Sequence, residues 1–390
     1  MSRYLFKHLQ VHFTRHIFTA FAYNIKQKPL NLRIFMENTV KNIKLGPTSY
    51  FAAANSYDGF KSYFDLCFSP LLFDRIYIIK GGPGTGKSSL MRRILLECEK
   101  YTNSTESIFC SSDVNSLDGI ILRGKSGSVA LVDGTAPHIV EPHLPGVCEV
   151  IVNLGEYFNL SYLKDNRDRI KSLNDKKNMY YRLAYNELAL SSVFGRNIRA
   201  EFSKHFDYNK AKALANELVK DMYSEADGKS QTRLISAFGK DGKIRLSTLE
   251  ECSARIYSLK GNTLCAEIFL QILTSKIKKT SCNFYLFPNC LDTTVLDAIY
   301  LPDISCAVII NSQAGESIDC DEFLISDSYP SYNEEFARIE ATLLSRSKGF
   351  FSLAAENHFL LEKIYSAQQD FIKVNTLASN MISEIKNILL

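Results

Sequence analysis

Arg75-Ile76-Tyr77-Ile78-Ile79-Lys80-Gly81-Gly82-Pro83-Gly84-Thr85-Gly86-Lys87-Ser88-Ser89-Leu90 reads as a short apolar strand, a glycine-rich loop and the opening turn of a helix. Gly81, Gly86, Lys87 and Ser88 fit G-x-x-x-x-G-K-[ST], the P-loop pattern. The residue types follow from the chemistry of holding phosphate. Glycines let the backbone approach the anion, unpaired N–H groups at a helix start surround it, a lysine neutralises it, and a hydroxyl reaches Mg²⁺. A β-rich apolar run precedes the loop and an amphipathic stretch, Ser89 to Lys100, follows it, the context the motif requires.

Working outward, Val129-Ala130-Leu131-Val132-Asp133 has the form of a strand ending in a Walker B carboxylate, which makes Asp133 the metal-side partner of Ser88. Ser107-Ile108-Phe109-Cys110 predicts another strand, and the polar loop after it offers Asp113, with Asp118 behind it, to position an attacking water. The proline-bounded loop Thr135 to His143 contains His138, Glu141 and His143. Its two prolines argue against one helical face of metal ligands, so His138 is read as a phosphate-sensing or structural residue. Upstream, Tyr57-Asp58-Gly59 between alternating aromatic residues predicts a β-hairpin. Downstream, Leu160 to Asp227 has helical spacing and reads as an antiparallel helical hairpin turning near Phe194-Gly195-Arg196-Asn197.

The pattern then recurs. Arg255-Ile256-Tyr257-Ser258-Leu259-Lys260-Gly261 repeats Arg75 to Gly81, Leu296-Asp297-Ala298-Ile299 answers Leu117-Asp118-Gly119-Ile120, Ala307-Val308-Ile309 answers Ala130-Leu131-Val132, and Asp241-Gly242 answers Asp58-Gly59. The second copy lacks the chemistry. Gly261-Asn262-Thr263-Leu264-Cys265-Ala266 is a shorter loop without Gly-Lys-Ser, and Ile310 and Asn311 stand near the place of Asp133. The expected fold class is therefore α/β, with two tandem P-loop NTPase-like units of mainly parallel sheet, each closed by its own helical hairpin. The expected boundaries are a basic extension over 1–42, a first unit over 43–158, a first hairpin over 159–229, a degenerate second unit over 230–330 and a second hairpin over 331–390.

Composition sets limits. The 390 residues are 46% hydrophobic and 23% charged, which is a folded chain, and no apolar run reaches the ~18 residues of a membrane helix. Ten scattered cysteines with no zinc spacing favour reduced thiols and a cytoplasmic setting. The formal charge of +4 comes from residues 1 to 35, where Arg3, Lys7, Arg15, Lys26, Lys28 and Arg33 have no acidic counterpart; removing those six positive charges leaves −2. Nucleic-acid binding thus has no support in the remainder. The extension is expected to be an upstream addition to a start at Met36, or else a targeting or membrane-surface segment.

These blocks resemble the uncharacterised tandem P-loop ATPase-like family of Firmicutes, which has two P-loop NTPase units in one chain. The resemblance runs from about Ile43 nearly to the end. It is carried by Tyr50-Phe51-Ala52, Lys80 to Ser88, Cys110-Ser111-Ser112-Asp113, Ser116-Leu117-Asp118-Gly119, Val132 to His138 and Ile151-Val152-Asn153-Leu154-Gly155-Glu156-Tyr157. It implies the tandem fold and ATP binding, and brings no substrate with it. Family members usually have a second intact P-loop, and this chain departs from them there. The resulting expectation is a Mg²⁺-dependent ATPase with one working site. In it Gly81, Gly82, Pro83, Gly84, Thr85, Gly86, Lys87, Ser88 and Ser89 hold ATP, Ser88 and Asp133 hold Mg²⁺, and Lys87, Asp113 and Asp133 act in catalysis. The alternatives are a kinase for a small acceptor, with Asp113, Arg123 and His138 in its pocket, and an ATP-dependent regulatory protein with little turnover. ATP is preferred to GTP because no N-K-x-D motif follows the loop. A protein partner or a homo-oligomer is compatible with the degenerate half and the helices.

Overall fold

Strands β4 (Arg75–Lys80) and β7 (Ser128–Asp133) are almost continuously apolar and pair in parallel with every interior residue buried, as central strands covered on both faces must be. The computed structural model describes residues 46–325 and 332–390; the basic extension lies outside them. In chain order the first sheet draws on β1 (Ser49–Phe51), β4, β5 (Ser104–Phe109), β6 (Leu117–Arg123), β7 and β8 (Glu149–Asn153). They lie in the order β1-β5-β6-β7-β4-β8, with β6 antiparallel to both its neighbours. Before β4 comes the expected hairpin, β2 (Ala53–Ser56) and β3 (Gly59–Ser62), turning at Asp58-Gly59.

The second sheet is built from β9 (Ser230–Thr232), β12 (Arg255–Lys260), β13 (Phe284–Pro288), β14 (Leu296–Leu301), β15 (Cys306–Ile310) and β16 (Glu316–Asp319). Its order is β16-β12-β15-β14-β13-β9, with β14 antiparallel to its neighbours. Read from β16 and from β8, the two sheets have the same sequence of strands and the same senses. Each has a register shift at the end of the matching strand, Ile108/Phe109 in one and Phe287/Pro288 in the other. A second hairpin, β10 (Ser236–Gly239) and β11 (Gly242–Arg245), turns at Asp241-Gly242 as the first does at Asp58-Gly59.

The helices depart from expectation in two ways. Helix α1 (Lys87–Cys98) follows the glycine-rich loop, and α4 (Thr263–Ile277) occupies its place on the second sheet. Between the sheets run α2 (Arg167–Phe202) and α3 (Tyr208–Asp221); after the second come α5 (Tyr332–Ser366) and α6 (Phe371–Leu389). Helix α2 does not turn near Gly195. It continues to Phe202, and Gly195 lies within it beside the Glu340 side chain of α5, along which α2 packs.

Nor do the helix pairs fold back as hairpins on the sheet that precedes them. The long helices α2 and α5 lie along each other, and the short ones cross. Ala211, Ala215 and Leu218 of α3 enter the core of the second sheet beside Phe269, Leu270 and Leu273 of α4. Val374, Ala378, Met381 and Ile385 of α6 return to the first, against Leu90, Met91 and Ile94 of α1. A fully buried Ile385 contributes on the order of 1.5–3 kcal/mol to that docking. Both crossings are made in the same way. Asp207 and Asp370 cap α3 and α6, and each junction bridges to the loop after an edge strand, Phe206 to Leu324 and Phe158 to Gln369. The described residues therefore cluster as one compact unit. Among the described residues no helix is long and apolar enough to cross a membrane, and all ten cysteines are free thiols.

Candidate functional site

Residues Gly81 to Gly86 join β4 to α1, so the loop sits at the carboxyl end of a central parallel strand and the amino end of a helix. Gly86 caps the helix in the left-handed region, φ 87°, where a side chain would be strained. Thr85 is fully buried and ties the loop to itself, its hydroxyl donating to Gly82 O at 2.9 Å. Lys87 Nζ folds over the loop, donating to Gly81 O at 2.8 Å and Gly82 O at 3.2 Å. Ser88 Oγ accepts from Leu117 N–H at 3.0 Å, while Ser89 is exposed.

Asp133 ends β7 beside Ile79 of β4 and faces the loop, Oδ2 standing 3.6 Å from Lys87 Nζ. Its other oxygen accepts from Thr135 N–H at 2.9 Å and Thr135 Oγ1 at 2.6 Å, which fixes the rotamer. Lys80, the last residue of β4, holds the following loop by donating to Gly134 O, Val140 O and Glu141 Oε1 at 2.9, 2.7 and 2.5 Å. That loop delivers His138. Its ring stacks on Phe64 with centroids 4.3 Å apart, and Nε2 lies 3.4 Å from Asp118 Oδ2. Burial alone would lower the imidazole pKa; Asp118, by hydrogen bond and charge, and then Asp133 outweigh it and hold the pKa above its usual value. His138 Nδ1 is buried without a partner.

The structure thus brings Lys87, Ser88, Asp133, Asp118 and His138 into one neighbourhood at the ends of β4, β6 and β7. Asp113 is not among them. It is half exposed, 3.7 Å from Lys240 of the second hairpin, and accepts from Asn115 N–H at 3.3 Å. The polar loop it belongs to is turned toward β10–β11, where Gly239 packs on the backbone of Ser111 and Ser112. Glu141 is committed to Lys80, and among the described residues no three His, Cys, Asp or Glu side chains form a metal cluster. The oxygen donors that remain, the Ser88 hydroxyl and the Asp133 carboxylate, suit a small hard cation that keeps water and phosphate oxygens as its other ligands.

What the sequence did not flag is the other wall. A Cβ on Gly84 would stand 2.6 Å from Glu362 O and 3.0 Å from Ser366 N, one on Gly86 3.2 Å from the Phe371 ring, and one on Gly82 3.8 Å from Tyr365. The α5–α6 junction, far downstream in the chain, lies directly on the loop. Nothing local in the P-loop sequence signals it.

At the matching place on the second sheet, Ile310 stands beside Leu259 as Asp133 stands beside Ile79. Only Gly261 and Asn262 separate β12 from α4. Asn262 N–H donates to Asp321 Oδ1 at 2.6 Å, so a carboxylate of the chain itself occupies the helix start. Comparison of the sequence with protein-family models and curated proteins, and of the structure with solved structures, returned no match.

Proposed function

We propose that the chain consists of two tandem P-loop NTPase-like units and is a Mg²⁺-dependent ATP-binding protein that hydrolyses ATP at a single site, Gly81 to Ser89. The observation that carries this reading is the approach of Lys87 Nζ to Asp133 Oδ2, 3.6 Å, at the carboxyl ends of two adjacent parallel strands with the glycine loop between them and a helix. Structural ion pairs do not call for such a loop; a phosphate-and-metal site does. Lys87 and the loop amides would hold the phosphates, and Ser88 and Asp133 the Mg²⁺, whose charge polarises the phosphoryl group. We reassign the water-orienting role from Asp113, which faces Lys240, to the Asp118–His138 pair, whose charges lie near Asp133. The identical strand order of the two sheets supports the tandem reading, as does the resemblance to the tandem family.

The test is equilibrium binding of Mg–ATP together with ADP release by the purified full chain. Lys87→Ala should lower turnover by about 10² or more, the scale for removing a preorganised charge from a transition state, and Asp133→Asn should abolish the Mg²⁺ dependence. Asp113→Asn should turn over like the wild type. If Lys87→Ala keeps both nucleotide stoichiometry and rate, the site is elsewhere and the reading fails. A second reading, ATP as a conformational signal with little turnover, is favoured by one observation, the covering of the loop by the α5–α6 junction. Binding without measurable ADP release would select it.

A further inference from the structure

The face of the glycine loop turned to the α5–α6 junction meets aromatic rings. Phe158 and Tyr365 come within ordinary contact of Gly82, where a Cβ would stand 3.9 and 3.8 Å from them, and their own centroids are 5.3 Å apart, so each covers the other. Phe371, the first residue of α6, stands at the other end of the loop, where a Cβ on Gly86 would lie 3.2 Å from its ring. It is 43% exposed, and among the described residues no second ring packs on it.

The ring is held in place by the junction behind it. Asp370 caps α6, its Oδ1 accepting from Ile372 and Lys373 N–H at 3.1 Å, and its own N–H donates to Tyr157 O at 3.0 Å. Gln369 Nε2 donates to Leu154 O at 3.0 Å, a buried bond, and Leu154 packs against Gly81, where a Cβ would stand 3.3 Å from it. At the other crossing the residue after the capping aspartate is Tyr208, and its ring is occupied by neighbours: Phe206 lies edge-on to it with centroids 5.0 Å apart, and Lys212 Nζ stands 6.0 Å from the ring centre.

We propose that Phe371 is the base platform of the nucleotide site: a nucleoside triphosphate held by Lys87 and Ser88 lays its base on the open face of this ring, so that the carboxy-terminal helices distinguish a nucleotide from a bare polyphosphate. The inference rests on the nucleotide-binding reading above. With the metal-bound phosphates between Ser88 and Asp133, the α-phosphate and the nucleoside leave the loop on the side of Ser89, which is exposed. Gly86 and Ser89 share the first turn of α1, and Phe371 flanks that turn. Every base presents a π-face, so a ring that stacks one recognises the class without reading its edge, and a ring fixed in advance loses little freedom on binding.

The experiment measures binding of Mg–ATP and of Mg–tripolyphosphate to the full chain in wild type, Lys87→Ala, Phe371→Ala, Phe371→Leu and Phe371→Trp. Phe371→Ala and Phe371→Leu should each weaken Mg–ATP about ten-fold, the scale of one base–aromatic stack, and leave Mg–tripolyphosphate within about two-fold of wild type. Leucine keeps apolar packing on Gly86 and lacks the aromatic face, so it separates stacking from support of the loop. The chain has no tryptophan, so Phe371→Trp carries a single indole, whose emission should be quenched by Mg–ATP and not by Mg–tripolyphosphate. The proposal is overturned if Phe371→Leu binds Mg–ATP like the wild type, if both ligands weaken together in it, or if Mg–ATP binds Phe371→Trp and leaves the indole emission unchanged. Lys87-dependent binding of Mg–tripolyphosphate to the wild type as tight as that of Mg–ATP would keep the phosphate site and sink the platform. Absence of binding of either ligand to the wild type sinks the nucleotide reading itself, and this one with it.

Discussion

The two sheets share a strand order and differ in what stands at their ends. At the first, Lys87 faces Asp133, and Asp118 meets a histidine. At the second, Ile310 replaces the carboxylate, and the aspartate matching Asp118, Asp297, is fully engaged: Ser236 Oγ and Asn289 Nδ2 donate to it at 2.5 and 2.8 Å, and Lys243 Nζ stands 3.4 Å away. Where the first sheet has Gly155 in the single helical turn after β8, the second has Asp321 in the turn after β16, and its carboxylate takes the N–H of Asn262. The strand order survives because it is set by apolar burial, which tolerates substitution of like for like. Of the polar residues, Asp118 is matched by Asp297, whereas Asp133 is matched by an apolar residue. The second end is built as an internally neutralised joint, and the first sets a cation and a carboxylate against a glycine loop.

The contrast is sharpest at the two crossings. Arg199→Ala would leave Glu267 and Asp292 buried without their cation, and its expected cost is about 3–5 kcal/mol, read from urea unfolding of the full chain. Glu362→Ala, which like Arg199 stands eight residues before the aspartate capping the next helix, should cost no more than about 1 kcal/mol, since its pair with His358 on the same helix is half exposed. Equal costs would erase the distinction between a junction anchored by a buried ion pair and one that is not.

A smaller effect separates the two buried aspartates. His138 has a raised pKa in the folded chain, so the stability it contributes is complete below the unfolded imidazole value of about 6.5 and is lost as pH rises through the higher folded value. Lys243, whose pKa is also raised, stays charged throughout that range and gives Asp297 a pH-independent partner. Urea midpoints should therefore fall as the pH rises above about 6.5 in the wild type, and the slope should flatten in His138→Asn but persist in Lys243→Ala. A slope untouched by His138→Asn would mean that another group titrates.

How far these differences could be read beforehand depends on whether they are local. The P-loop, Asp133, the two Asp-Gly hairpins and the loss of Gly-Lys-Ser are written within a few residues of each other, and the paired strands could be matched from their apolar runs. The helices could be located but not docked. An amphipathic face such as that of α6 states that something covers it without naming what, so the crossing of α3 and α6, and with it Glu362, had no local signature. Gly195 shows the same limit, since the helix that runs through it is packed along a partner far away in the chain. A loop that follows a strand makes Asp113 a candidate, but whether such a loop turns to a ligand or, as the Asp113 side chain does, toward a neighbouring hairpin is a tertiary matter.

The smallest expected effect is none at all, and it tests the comparison most directly. Leu264→Gly, Cys265→Lys and Ala266→Ser, introduced together into Lys87→Ala, would restore the three motif residues to the second loop. Turnover should not return. The helix there starts at Thr263, so no loop of the length of Gly81 to Gly86 is present to surround a phosphate, and Asp321 already accepts from Asn262 N–H where an anion would sit. Ile310 offers no oxygen to a cation. Cys265 and Ala266 are fully buried, so the new lysine would also have to leave the core; circular dichroism and the urea midpoint establish that the variant is folded before its activity is read. Adding Asp321→Gly and Ile310→Asp removes two of the obstacles but leaves the short loop. Recovery of ADP release in the first variant would show that sequence at the loop alone decides the site; recovery only in the second would assign the difference to Asp321 and Ile310; silence in both would leave backbone length as the feature that separates the two ends.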